Sequence, residues 1–414
     1  MPPTVSNSPP PRIENFYQNS FKQLSNVQQK QVGLLLGAFV ADGAARRFEG
    51  YTKEEVEAMQ KERSRHMDSH FTAAEGAVRK EVGLEFWPVD EASQLRGHKS
   101  LATLDVASQG HSLRRHGEAT NPLLQHSFSA QFFEEIVRTI SHEKGDFPVE
   151  TVTDKLVDIS LRVAPEVFLA EHASLLHPLC ALLPLPTIYP YVSDEHMRAY
   201  AAPFVEFLTE PPQALSGEEK VSFLEGDGGY TLQEAAAAER TLVERMTFSV
   251  LGVATRCLQS NPDPLRNAAF MSVPDSSAVF PPEVVEHCPR LPAEDLASIK
   301  ALRISEDLLR RTTQRSPLLS SAFLPRRPVL LDAITVREGL TIVRSAASYT
   351  SGVRAAIGLG GPVCQRAMLV GALLGAKYGA RHIPPGWLSA TARHKVLSTF
   401  SIDVAQWAWN PPHH

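Results

Sequence analysis

From residue 26 onward the apolar positions recur every three or four residues, the spacing of a helix that buries one face. The stretch NVQQKQVGLLLGAFVADGAARRF, residues 26–48, predicts a long helix, and its small residues around Gly33 and Gly37 let a second helix approach closely. TKEEVEAMQKERSRHMDSHFTAAEGAVRKEV, residues 52–82, opens on the capping pattern Thr52-x-x-Glu55 and predicts a charged, exposed helix. SAQFFEEIVRTISHEK, residues 129–144, carries an apolar stripe at Phe132, Phe133, Ile136, Val137 and Ile140, with Ser129 as its cap. The same period predicts helices over residues 153–173, 193–210, 231–259, 292–314 and 335–358, and in the segment after Pro362. Alternation of the strand type is nearly absent; RPVLLDAIT, residues 327–335, is the one candidate strand, or buried coil.

Between these segments the connectors are rich in proline: residues 179–192, 261–292, 321–328 and the end WNPPHH. The expected architecture is therefore all-α, a single compact multi-helix bundle with Pro-rich loops and tails. We divide it into a Pro-rich tail over 1–16, a helical domain over 17–408 and a short tail over 409–414. Within the domain, 52–125 reads as an insertion and 260–293 as a long surface loop.

Composition narrows the partners. The net charge of -5 argues against a nucleic-acid or anionic-membrane surface, both of which want a basic face. Cys180, Cys257, Cys288 and Cys364 form no CxxC pair, the usage of a reducing compartment, and the first residues lack a secretory layout. No apolar run approaches the roughly twenty residues of a membrane span. The expectation is a cytoplasmic protein.

The sharpest chemical signal is GGPVCQRAMLVGALLGAKYG, residues 360–379. Gly360 and Gly361 open onto a helix N-terminus, an arrangement that suits an anion or a set of metal ligands. Yet Pro362, Val363, Cys364 and Gln365 supply no carboxylate there.

Two blocks near opposite ends of the chain resemble the ADP-ribosylglycohydrolases. Residues 33–50, GLLLGAFVADGAARRFEG, resemble that family's opening helix, and residues 360–388, ending in IPPGWL, resemble its closing segment. The run Gly360 to Arg366, which keeps a Cys and an Arg, is similar to the J1-crystallin and selenoprotein J branch. Phe128-Ser129-Ala130-Gln131 resembles that branch's middle motif, and HPLCALLP, residues 177–184, the family's PL-x-ALL segment.

The resemblance implies a helical fold and hydrolysis of the bond between ADP-ribose and a side chain, with a pair of magnesium ions held by a TDDT turn and a DTDT turn. Magnesium is a hard ion that demands oxygen ligands. Carried onto this chain, the first turn falls on Ser129, Ala130, Gln131 and Phe132, the second on Pro362, Val363, Cys364 and Gln365. Every aspartate is gone, and the soft sulfur of Cys364 is a poor magnesium ligand. An alternative register at Thr120-Asn121-Pro122-Leu123 supplies none either. Two acidic positions persist: Asp42, within the opening helix, and Glu49, at the position some members use in the reaction; the favoured reading of both is structural, Asp42 hydrogen-bonded in the core and Glu49 in an exposed ion pair with Arg46 and Arg47.

The reading is a catalytically inactive relative with a relic pocket of Asp42, Ser129, Gln131, Gly360, Gly361, Cys364, Gln365 and Arg366. It has no metal, no cofactor and protein partners in a larger assembly, of which cytoskeletal or ciliary structures are the model class. The alternative is a divergent glycohydrolase or an ADP-ribose-binding protein, with Glu49 as acid or base and Cys364 and Gln131 lining the pocket. A lowered thiol pKa at Cys364 is its one route to new chemistry. Other constellations fall to bland readings. His66 and His70 share a solvated helix face, and His172, His177 and Cys180 pack in the core. LEGDGGYT, residues 224–231, is a turn capping the next helix.

Overall fold

The structure, a computed structural model, describes residues 20–49, 51–69, 126–147, 179, 182–209, 232–260, 264–265 and 329–409. Every regular element among them is helical. In chain order these are α1 (Asn26–Ala45), a 3-10 turn (Arg46–Phe48), α2 (Lys53–Ser69), α3 (Phe128–His142), α4 (Leu185–Ile188), α5 (Asp194–Thr209) and α6 (Leu232–Leu258). There follow α7 (Val329–Ser345), α8 (Tyr349–Gly358), α9 (Val363–Tyr378), a second 3-10 turn (Ala380–His382), α10 (Pro385–Ala390) and α11 (His394–Trp407).

Two of these helices, α1 and α9, form the centre. Both are buried on nearly every side, from Lys30 to Ala45 apart from Gly43 in α1 and from Val363 to Ala376 in α9. A helix apolar all round can only be an interior one. What brings the two into contact is glycine: a Cβ at Gly375 would lie 1.9 Å from the Gly33 carbonyl oxygen, and one at Gly37 2.3 Å from that of Gly371. Residue number rises along α1 as it falls along α9 in these contacts, so the helices run antiparallel. The Tyr349 hydroxyl, buried on α8, donates to the Gly37 carbonyl at 2.7 Å and pins the seam from outside. Around this pair pack α6, α7 and α8 against α9, and α11 against α1 and α3.

Local signals explain most boundaries. Ser25 and Gln28 cap α1 reciprocally, and Thr52 and Glu55 do the same at the head of α2. Three expectations are corrected. Residues 329–335 are helical, not a strand: Val336, Leu340 and Val343 are buried at helical spacing, so tertiary burial sets the period. The helix expected over 335–358 is two helices, because Ser348 and Ser351 form a capping box that starts α8 afresh. The cap of α3 is Ser127, which accepts from the Ala130 N–H, while Ser129 lies one residue inside the helix, fully buried. The segments 1–19, 70–125, 153–173, 266–328 and 410–414 lie outside the described residues, and with them the first tail and most of the expected insertion, long loop and end tail.

Candidate functional site

The glycine turn before α9 meets the chain's own backbone. Gly360 and Gly361 have φ of 68° and 69°, a region L side chains rarely enter. The Gly361 N–H donates to the Tyr51 carbonyl at 2.8 Å, and a Cβ on Gly360 would stand 2.5 Å from the Lys53 nitrogen. The close approach that the glycines permit is thus made by residues 51–53 at the head of α2.

Helix α9 starts at Pro362, which offers no side-chain cap. One of its orphan donors is met from elsewhere in the fold: the Cys364 N–H donates to Glu49 Oε2 at 2.6 Å, across 315 residues of sequence. Glu49 sits just past the 3-10 turn that closes α1, so the α1–α9 seam itself aims the carboxylate at the helix N-terminus. Burial raises the Glu49 carboxyl above its ordinary value, opposed by the Cys364 hydrogen bonds and the Arg46 charge.

Cys364 is fully buried in the core. Burial first, then the Glu49 and Asp42 charges, push its thiol well above the usual range. A lowered thiol pKa, the lesser alternative to inert packing, does not arise here: Arg46 is the cation that acts on the thiol, and it is outweighed. Arg366 turns the other way and ties elements together. Its Nε donates to Glu338 Oε2 on α7 at 2.9 Å, and its Nη1 donates to the carbonyls of Ala356 and Gly360 at 3.0 and 2.7 Å. It therefore holds the end of α8 and the glycine turn to α7.

Asp42 is fully buried. Its Oδ2 accepts from the Ser127 N–H at 3.0 Å and lies 3.2 Å from His126 Nδ1, while His126 Nε2 lies 3.1 Å from the Ala392 carbonyl oxygen. A carbonyl oxygen can only accept, so Nε2 carries a proton and the ring links α1, the head of α3 and the turn before α11. His126 and Ser127 escaped the sequence reading; the signal available was a polar pair immediately before the apolar stripe of α3. Asp42 Oδ1 and Gln365 Oε1 are both buried and without a hydrogen-bond partner. Gln131, by contrast, is exposed and donates its amide to the His126 carbonyl at 2.9 Å.

At the positions where the resemblance implies metal ligands, Ala130, Phe132, Val363 and Cys364 are packed in the hydrophobic core. The remaining oxygens are the Ser129 hydroxyl and the neutral amides of Gln131 and Gln365, which cannot offset the charge of two magnesium ions. The residues present do not fit that metal pair. Among the described residues no group of three or more His, Cys, Asp or Glu stands together as a ligand set. His66 lies on α2, whereas His70, His172, His177, Cys180 and residues 224–231 lie outside the described residues. No described helix is long and apolar enough to cross a membrane.

Residues 281–410, about a third of the chain, match the family model of ADP-ribosylglycohydrolase. A solved structure titled "ADP-ribosylglycohydrolase-related protein complex" is similar at 15% sequence identity with a TM-score of 0.44, covering 93% of this chain and 100% of that one. No curated protein matches the chain.

Proposed function

We propose that this is a catalytically inactive ADP-ribosylglycohydrolase-like protein, nearest the J1-crystallin branch, that serves as a structural or interaction component of a larger assembly. The observation that carries the reading is the replacement at the two ligand turns. Where metal-binding oxygens would stand there are Ala130, Phe132 and Val363 in the core and Cys364 as a neutral thiol. Glu49, the acid of the resemblance, caps α9 through the Cys364 N–H. A fold carries no chemistry by itself, so a frame without its ligands serves through its surface. The setting we propose is the cytoplasm, with cytoskeletal or ciliary assemblies as the class of structure served.

A second reading, a divergent glycohydrolase or ADP-ribose binder, draws on three facts. Asp42 Oδ1 and Gln365 Oε1 are buried without partners, and burial raises the Glu49 carboxyl above its ordinary value, the direction that suits a general acid. Each unmade buried hydrogen bond costs about 1–3 kcal/mol, an incentive for a ligand or a water to fill it. One assay separates the readings. The full chain is incubated with ADP-ribosylated protein, with and without magnesium, beside Glu49→Gln. We expect no release of ADP-ribose from either; release by the wild-type chain that Glu49→Gln abolishes would establish the enzyme.

A further inference from the structure

Away from the relic pocket, the described surface carries its large exposed aromatic rings in one place. Tyr191 is 61% exposed, Tyr200 43% and Trp409 39%. Tyr191 meets Trp409 edge to face at 5.4 Å between centroids, and Tyr200 stacks on the half-buried Tyr189 at 4.8 Å with planes 9° apart. Exposed rings on a mobile loop would mean little, but these are braced. The Gln31 side chain, buried in α1, donates to the Thr187 carbonyl and accepts from the Trp409 indole N–H at 2.9 Å. Gln259 donates to the Pro190 carbonyl at 3.2 Å, and Pro184, Pro186 and Pro190 stiffen the segment between. A rigid cluster of tyrosines and a tryptophan is the composition of an energetic hot spot, since little entropy is lost when it docks.

The chemistry of the shelf selects its occupant. The hydroxyls of Tyr189, Tyr191 and Tyr200 make no hydrogen bond among the described residues, so the shelf offers phenol donors between flat apolar faces. Asp146 lies near enough to Tyr189 for its charge to act on that phenol. Asp194 and Glu195 are exposed at the start of α5, about a turn and a half before Tyr200; Arg256 already pairs with Asp194 at 3.1 Å, so Glu195 and the exposed Asp146 carry the negative charge the shelf offers. The complement of such a surface has flat prolyl rings, free carbonyls at every residue and a positive charge. A polyproline II segment has the first two, because it makes no internal hydrogen bonds.

We propose that Tyr189, Tyr191, Tyr200 and Trp409 form a docking shelf for a proline-rich segment of a partner protein that carries a basic residue. This deepens the reading as an interaction component, yet it fails independently: hydrolase activity would remove that reading without touching peptide binding.

The test is calorimetric titration of the full chain with an arginine-flanked decaproline peptide, beside a glycine–serine peptide of equal length with the same arginines. The proline peptide should bind saturably and the control should not. Tyr191→Ala and Tyr200→Ala should each weaken binding about tenfold with the melting temperature unchanged. Val396→Ala, which trims an exposed apolar residue on α11, should leave it unaltered. Equal binding of both peptides, or undiminished binding by both tyrosine variants, would overturn the proposal. So would a large gain in affinity when Pro9, Pro10 and Pro11 are together replaced by alanine, which would make the chain's own segment the occupant.

Discussion

The two ends of the α1–α9 pair obey different rules. At one end Gly33 and Gly37 meet Gly371 and Gly375 with backbone against backbone, and no atom there could be larger. At the other, Glu49 meets Cys364 as a carboxylate that serves as a helix cap, and the buried Asp42 Oδ1 and Gln365 Oε1 lack partners. Sterics dictate the first end completely. The second is underdetermined, with polar groups whose positions are fixed but whose pairing is incomplete. Packing therefore fixes the frame at the glycine end, whereas at the polar end it leaves buried groups whose hydrogen bonding is incomplete.

Substitutions at the glycine end should hurt most. Gly375→Ala would drive a Cβ to 1.9 Å from a backbone oxygen that cannot move aside, so we expect a loss of about 3 kcal/mol or more in denaturant unfolding. At the polar end, Arg366→Ala strands Glu338 and the Ala356 and Gly360 carbonyls, and should cost about 2 kcal/mol by the same measurement. If Arg366→Ala proves the costlier, the glycine seam is looser than the contact distances require.

Glu49 should give a smaller effect with a distinctive pH signature. Glu49→Ala removes the cap of α9 and should cost about 1 kcal/mol, whereas Glu49→Gln keeps an oxygen for the Cys364 N–H and should cost less. Burial raises the carboxyl above its ordinary value of 4.5, so the folded state favours the protonated form. The stabilisation from that proton is fully present below 4.5 and is lost as pH rises through the raised value. Melting curves of the wild type and Glu49→Gln should therefore diverge in the variant's favour as pH increases through that window. Parallel curves would mean that Glu49 is not held in a desolvated site. Smaller still is the expected reactivity of the thiols. Cys257 is pushed up to about 12 and Cys364 well above its usual range, so native protein should label at neither before it unfolds.

Much of this frame was legible in the chain because its signals are local. Thr52 and Glu55 announce α2, and the apolar period of residues 26–48 announces α1. Where burial overrode the local pattern, reading failed: residues 329–335 alternate weakly yet are helical because α7 packs on α9. Two serines before one apolar stripe look alike, and only the fold makes Ser127 the cap. The site was less legible still. Glu49 and Cys364 were each named from the sequence, but their contact spans the chain, and nothing local marked His126 as the link between Asp42 and Ala392.

The central proposal, that the polar end of the seam does not bind a metal pair, is tested most directly by melting the purified full chain with and without magnesium. Ligand that binds only the folded state adds about 1.4 kcal/mol at ten times its dissociation constant, a shift of several degrees at most and easily resolved. The account predicts that millimolar magnesium leaves the melting temperature where chelator leaves it. A magnesium-dependent rise that vanishes in Glu49→Gln would contradict it.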